Sequence, residues 1–256
     1  MSWHTTTLAL TLCFLLSACA RDADDVERIQ ATGVLRAGGF SEPGHLTPSG
    51  QLPRGYTAEL IALLAADLGA LAQWQRFDSH EGLCDALVSG RIDIITTSLV
   101  TARTKPCADL SPVAYGPHLG TSRVVVAYRH GRKRPRKLSD LANLTVASAT
   151  VLTRGPDSTM LDSTPDLRTM QIGLAEIAAD RADASPVTQS LLSNMQTVFP
   201  RLAAGFDTGR TAARVWVFRR ERSTRLRLRT LLVIQSAQAQ AIRARQLAHR
   251  GQANRA

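Results

Sequence analysis

Strand-like and helix-like stretches alternate along this chain. "VLRAGGF", residues 34–40, reads as a strand running into a glycine turn. "YTAELIALLAADLGA", residues 56–70, places Leu60, Ile61, Leu64, Ala65 and Leu68 on one face at helical spacing. "AQWQRF" reads as a strand, "EGLCDALVSG" as a helix stopped by glycine, and "IDIITTS" as a strand. Strand and helix taken in turn imply parallel strands with helices packed on them, an α/β class. A short helix over Asp24 to Thr32, closed by Gly33, precedes the series. "SEPGHLTPSGQLPRG", rich in proline and glycine, reads as a connecting loop.

"TSRVVVAY" is a clear strand and leads into the basic loop "RHGRKRPRK". The alternation then restarts. "NLTVAS" reads as a strand, followed by a helical segment from Thr150 and helices in "GLAEIAADRA" and "TQSLLSNMQTVF". "AARVWVF" is again a strand, and Glu221 to His249 reads as one long Arg- and Gln-rich helix. Two α/β runs flank a central extended strand, and the strand at 212–218 passes back to the first. The pattern predicts two lobes joined by two crossings, and 256 residues suffice for them.

The formal charge of +10 comes from 28 Arg and 3 Lys against 21 acids. A codon bias toward Arg explains that ratio at least as well as a function. The loop from Arg129 to Lys137 carries six cations, and the segment from Arg210 to Arg229 carries eight Arg against Glu221 alone. A solvated face is the plain account of both. If they meet a partner, anionic lipid headgroups or envelope polymers suit them better than nucleic acid. Only 5% of residues are aromatic, and neither a zinc spacing nor an RNP-like stretch accompanies the arginines.

Residues 5–16, "TTTLALTLCFLL", form an apolar run too short to cross a bilayer as a helix. It ends in Leu16-Ser17-Ala18-Cys19, which resembles the bacterial lipobox, in which the cysteine becomes the lipidated first residue of the mature chain. The run carries no Lys or Arg before it, a departure from the usual signal. On this reading 1–18 is a lipoprotein signal peptide and 19–25 an anchor linker. The mature protein is then periplasmic and lipid-anchored through Cys19, at the outer membrane in a Gram-negative host. Export leaves Cys84 and Cys107 in an oxidising compartment, either as a disulfide, the preferred reading, or as two unpaired thiols. The reading places no His beside either cysteine, so neither a metal nor a cofactor is expected. No G-x-S-x-G elbow, H-E-x-x-H pair or P-loop occurs, so catalytic residues are not expected either.

"GYTAELIALLAADLGA" followed by "LVSGRIDIITTSLVTARTKPCADLSPVAY" resembles the family 3 bacterial extracellular solute-binding proteins. "VERIQATGVLRAGG", "LTVAS" and "VFPRLAAGFD" resemble more closely the solute-binding-like domain of membrane-bound lytic murein transglycosylase F. The resemblance runs from about Val26 to Gln246. It implies a two-lobed, type II periplasmic-binding-protein-like fold, each lobe a mixed sheet flanked by helices, joined by a two-strand hinge. The expected divisions are 26–117 for the first part of lobe I, 118–210 for lobe II, and 211–256 for the return to lobe I with the C-terminal helix.

The same resemblance implies a ligand site in the cleft between the lobes, where strand ends and helix N-termini converge. Phe40 and His80 fall where wall residues belong. Ser98 and Thr101 fall where a ligand carboxylate is bound, and Ser148, Ala149 and Thr150 at the lobe II helix start that cradles it. The clamping Arg of the family falls on Lys105, or on Arg103 with a one-residue shift. Arg offers a planar fork and Lys a point charge, so the two alternatives are different sites. The lobe II Asp that neutralises an ammonium group falls on Thr188, whose hydroxyl cannot replace that charge.

The expectation is therefore a non-enzymatic, lipid-anchored envelope protein binding a small anionic ligand, for transport or sensing. An ABC permease is a candidate partner, and a monomer is expected. The alternative is a stand-alone relative of the transglycosylase regulatory domain that binds peptidoglycan fragments or peptides. The transglycosylase carries its catalytic Glu in a domain beyond the binding module, so lytic activity is not expected of these residues.

Overall fold

The computed structural model describes residues 24–40, 55–100, 105, 107, 113–148, 151–154 and 166–253. Helix α1 (Asp25–Thr32) begins at Asp24, whose carboxylate accepts the Val26 N–H at 2.8 Å, and ends at Gly33 in the left-handed region. Then follow β1 (Val34–Gly39), α2 (Tyr56–Asp67), β2 (Leu71–Arg76), α3 (His80–Val88) and β3 (Ile94–Val100). Strand β1 pairs in parallel with both β2 and β3. Of the face read from the sequence, Leu60, Ile61, Leu64, Ala65 and Leu68 are all buried.

Two long strands, β4 (Val113–Arg129) and β8 (Leu202–Arg219), run antiparallel to one another from Val113↔Arg219 to Arg129↔Leu202. Between them come a 3₁₀ turn (Leu138–Leu141), β5 (Thr145–Ser148), β6 (Val151–Arg154), α4 (Leu167–Ala178), β7 (Ala184–Thr188) and the short α5 (Gln189–Met195). One mixed sheet results, in the order β2-β1-β3-β8-β4-β7-β5-β6. Three strands lie on each side of the β8–β4 pair, so that pair alone ties the halves of the sheet together.

Among the described residues, buried side chains form three clusters, and a small one at Val126, Leu141, Val146 and Ala184 belongs to the second half. Leu35, Leu64, Ile94, Trp216 and Phe218 pack on the α2 side. On the other, one apolar cluster runs from Leu83 and Leu87 of α3 through Val124 and Val217 to Leu174 of α4 and Leu191 of α5. Burying such side chains stabilises by about 1.5–3 kcal/mol each, so this continuous cluster holds the two halves against each other at the crossing.

Two expectations fail here. Val151–Arg154, expected within a helix from Thr150, is instead β6, antiparallel to β5 with Ser148 opposite Val151. Val151 and Thr153 are β-branched strand formers, and the pairing of this segment with "TVAS" overrides a helical start. The long C-terminal helix is two helices, α6 (Thr224–Gln235) and α7 (Ala237–Ala253). Ser236 between them is extended at ψ 154°, and its hydroxyl accepts the Ala239 N–H at 3.2 Å, so a serine cap restarts the helix. Among the described residues no helix is long and apolar enough to cross a membrane.

Candidate functional site

The structure gathers part of the expected site at one end of lobe I. Phe40 follows β1, and its backbone N–H donates to the Thr97 hydroxyl at 3.1 Å, which fixes the strand end. Thr97 is a residue the sequence reading passed over. The Phe40 ring is buried and lies with its centroid 6.4 Å from that of His80. His80 opens α3, whose start is capped by Ser79 accepting the Gly82 N–H at 3.1 Å.

Cys84 sits one turn further along α3 and is bonded to Cys107, with the Cα atoms 5.6 Å apart. Lys105, exposed, stands two residues before that tether. One expectation is corrected: a histidine does lie beside a cysteine. His80 Nε2 is 3.5 Å from Cys84 Sγ, since a spacing of four brings side chains together on a helix face.

The remaining expected residues divide. Ser98 lies in β3 where the pairing with β8 shifts register between Ile95 and Ser98, and Ser148 is the last residue of β5. Thr101, Arg103, Ala149, Thr150 and Cys19 fall outside the described residues. Thr188 ends β7 as placed, but its side chain is fully buried and its hydroxyl accepts the Leu191 N–H at 3.4 Å as the cap of α5.

An open pocket of about 430 Å³ lies at the crossing of the two halves, lined by other residues. Tyr56 of α2, Leu99 of β3 and Arg243 of α7 line it from lobe I, and Gln189, Ser190 and Ser193 of α5 from lobe II. The crossing strands form its floor with Ser122 and Arg123 of β4 and Arg214 of β8. Ser122 also accepts the Ser190 N–H at 3.0 Å, so the hinge strand itself sets the start of α5 against the pocket. Leu99 and Gln189 are the chain neighbours of Ser98 and Thr188, but none of the described residues expected at the site lines this pocket.

Its electrostatics are one-sided. Three arginines line it, and among the described residues no carboxylate does. Arg123 pairs with the partly exposed Asp207 at 3.3 Å. Burial raises the Tyr56 hydroxyl above its ordinary value, and the Arg243 charge opposes that rise. Such a pocket offers guanidinium forks and hydroxyl donors to an oxyanion. Sequence reasoning missed Tyr56, Arg123, Arg214 and Arg243. For Arg214 the available signal is its place inside the strand "AARVWVF", although it also counts among the arginines of the 210–229 run.

Comparison with known proteins agrees with this architecture. The chain is 27% identical over 225 residues to a "Membrane-bound lytic murein transglycosylase F" of Pseudomonas putida (strain GB-1), covering 81% of this chain and 44% of the relative. The chain thus spans less than half the length of that relative. Holo ArgBP from T. maritima shares the fold with a TM-score of 0.65 at 18% identity, over 85% of this chain and 98% of ArgBP. A substrate-binding protein of an ABC uptake transporter from Streptococcus pneumoniae, with bound histidine, shares it at a TM-score of 0.66 and 16% identity, over 86% and 94%. No protein-family model matches. The fold is that of the type II periplasmic binding proteins, and the resemblance read from the sequence is to the solute-binding-like part of the transglycosylase.

Proposed function

We propose that this chain is a non-enzymatic, lipid-anchored solute-binding protein of the cell envelope. It takes a small anionic ligand between its two lobes, for transport or sensing. The observation that carries the reading is the hinge pocket, lined from both lobes, with Arg123, Arg214 and Arg243 and no described carboxylate. Its volume suits a ligand of metabolite or dipeptide size.

The structural neighbours with this fold are described with bound arginine or histidine. Both ligands carry an α-ammonium, and leaving one unpaired in a closed site costs several kcal/mol. In the register read from the sequence Thr188 falls where the family has its neutralising acid, and its neutral hydroxyl caps α5; no described carboxylate lines the hinge pocket in its place. Standard amino acids are therefore poor ligands for this site. Ligands with carboxylate or phosphate groups and no free ammonium are good ones.

Isothermal titration of the protein with citrate, an N-acetylated dipeptide, glutamine and arginine tests the reading. Binding of an ammonium-free anion, with Arg214→Ala weakening it tenfold or more, is expected. Micromolar binding of a free amino acid would overturn the anionic assignment. The anchor is tested separately: Cys19→Ser should release the protein into the soluble fraction, and unchanged fractionation rejects the lipobox reading.

A further inference from the structure

We infer that His80, Cys84 and Cys107, once the two sulfurs are reduced, form a binding site for one thiophilic divalent cation of the zinc class. Their donor atoms, one imidazole nitrogen and two sulfurs, all lie within 4.8 Å of one another. His80 and Cys84 stand one helical turn apart, and Nε2 is already 3.5 Å from Sγ. Zinc holds sulfur at about 2.3 Å and imidazole nitrogen at about 2.0–2.1 Å in a tetrahedron, which sets its donors roughly 3.6 Å apart. The His–Cys pair meets that spacing as it stands. The two sulfurs need only separate on a backbone pair 5.6 Å apart, a movement within reach of side-chain rotation.

The ligand set is also electrostatically matched. Two thiolates neutralise a divalent cation, and a neutral imidazole adds no charge. Cys84 and Cys107 are buried, which shields the sulfurs from bulk solvent, whereas His80 is partly buried and gives an entry side. Three protein donors leave the fourth position to a water, the arrangement of an open site rather than a closed structural one.

The chemistry balances with a dithiol as reductant. The dithiol reduces the Cys84–Cys107 bond, two thiols form, and the dithiol leaves as its own disulfide. The cation then displaces both thiol protons to solvent and binds two thiolates and the His80 nitrogen, whose ring proton stays on Nδ1. The oxidised pair and the metal-bound pair are alternative clips, and each ties the segment carrying Lys105 to the start of α3.

The test is cobalt titration of the full chain after anaerobic reduction with a phosphine, followed by absorbance and circular dichroism. The reduced protein should take up one Co²⁺ with a thiolate-to-metal charge-transfer band that Zn²⁺ abolishes. The oxidised protein should show no such band. His80→Ala should weaken uptake at least about tenfold, and Cys107→Ser should remove the band. Should reduction unfold the chain, cobalt must restore the native dichroism. A reduced protein without the band, folded or not, overturns the inference, as does wild-type affinity in His80→Ala.

Discussion

Asp93 and Asp183 hold equivalent places in the two halves of the molecule. The Asp93 carboxylate accepts the Arg36 backbone N–H at 2.9 Å, and its own N–H returns to the Arg36 carbonyl at 2.8 Å. The Asp183 carboxylate accepts the Thr145 N–H at 2.8 Å, with its N–H on the Thr145 carbonyl at 2.8 Å. In each half an aspartate after a helix thus clamps the first strand of that half to the chain entering the next. The preceding turns correspond as well: Gly90 has φ 77° and Asp180 has φ 60°. A non-glycine residue in that region carries strain, and Asp180 is the type that tolerates it, here paired with Arg129 and Arg132.

The two clamps differ in burial, and that decides their worth. Asp93 is fully buried and meets Arg28, Arg36 and Arg219; its loss strands Arg36 and leaves Arg28 and Arg219 sharing Asp25 beside the hole. Asp93→Ala should cost on the order of 3–5 kcal/mol. Asp183→Ala, half-buried, should cost roughly 1–2 kcal/mol for its backbone bond. Urea unfolding of both variants decides; equal losses would refute the ranking.

Reduction of the Cys84–Cys107 bond, spanning a sequence separation of 23, should lower stability by about 3 kcal/mol on chain-entropy grounds. The Cys84→Ala/Cys107→Ala pair should match the reduced protein without metal. An unchanged urea midpoint in both would show that the crosslink constrains nothing in the unfolded chain.

Local signals carried most of the fold. The α2 face, the Asp24 and Gly33 helix ends and the strand at 212–218 were legible because spacing and capping act over a few residues. Ser236 was not, because Glu221 to His249 keeps a helical composition throughout and only a serine turning extended splits it. The hinge pocket was less legible still. Tyr56, Arg123, Arg214 and Arg243 come from four distant segments, and their meeting depends on the β4–β8 crossing. Thr188 shows the converse: its place on the chain was readable, but the direction of its hydroxyl, into the α5 cap, depends on the backbone turn there.

The Tyr56 hydroxyl should report on an anion in the hinge pocket. Burial raises its pKa above 10.0, and the Arg243 charge pulls it back. With the folded value raised, the neutral phenol contributes stability that is complete below pH 10.0 and is lost as pH rises through the folded value. Arg243→Ala removes the lowering influence, so the Tyr56 titration should move further upward. A bound oxyanion beside the ring acts in the same direction, because it disfavours a second negative charge and screens Arg243. Tyrosinate absorbance of the wild type minus that of Tyr56→Phe isolates the group from the other two tyrosines. An upward shift on adding the anion found by titration, smaller in Arg243→Ala, is expected. A downward shift would place the anion elsewhere.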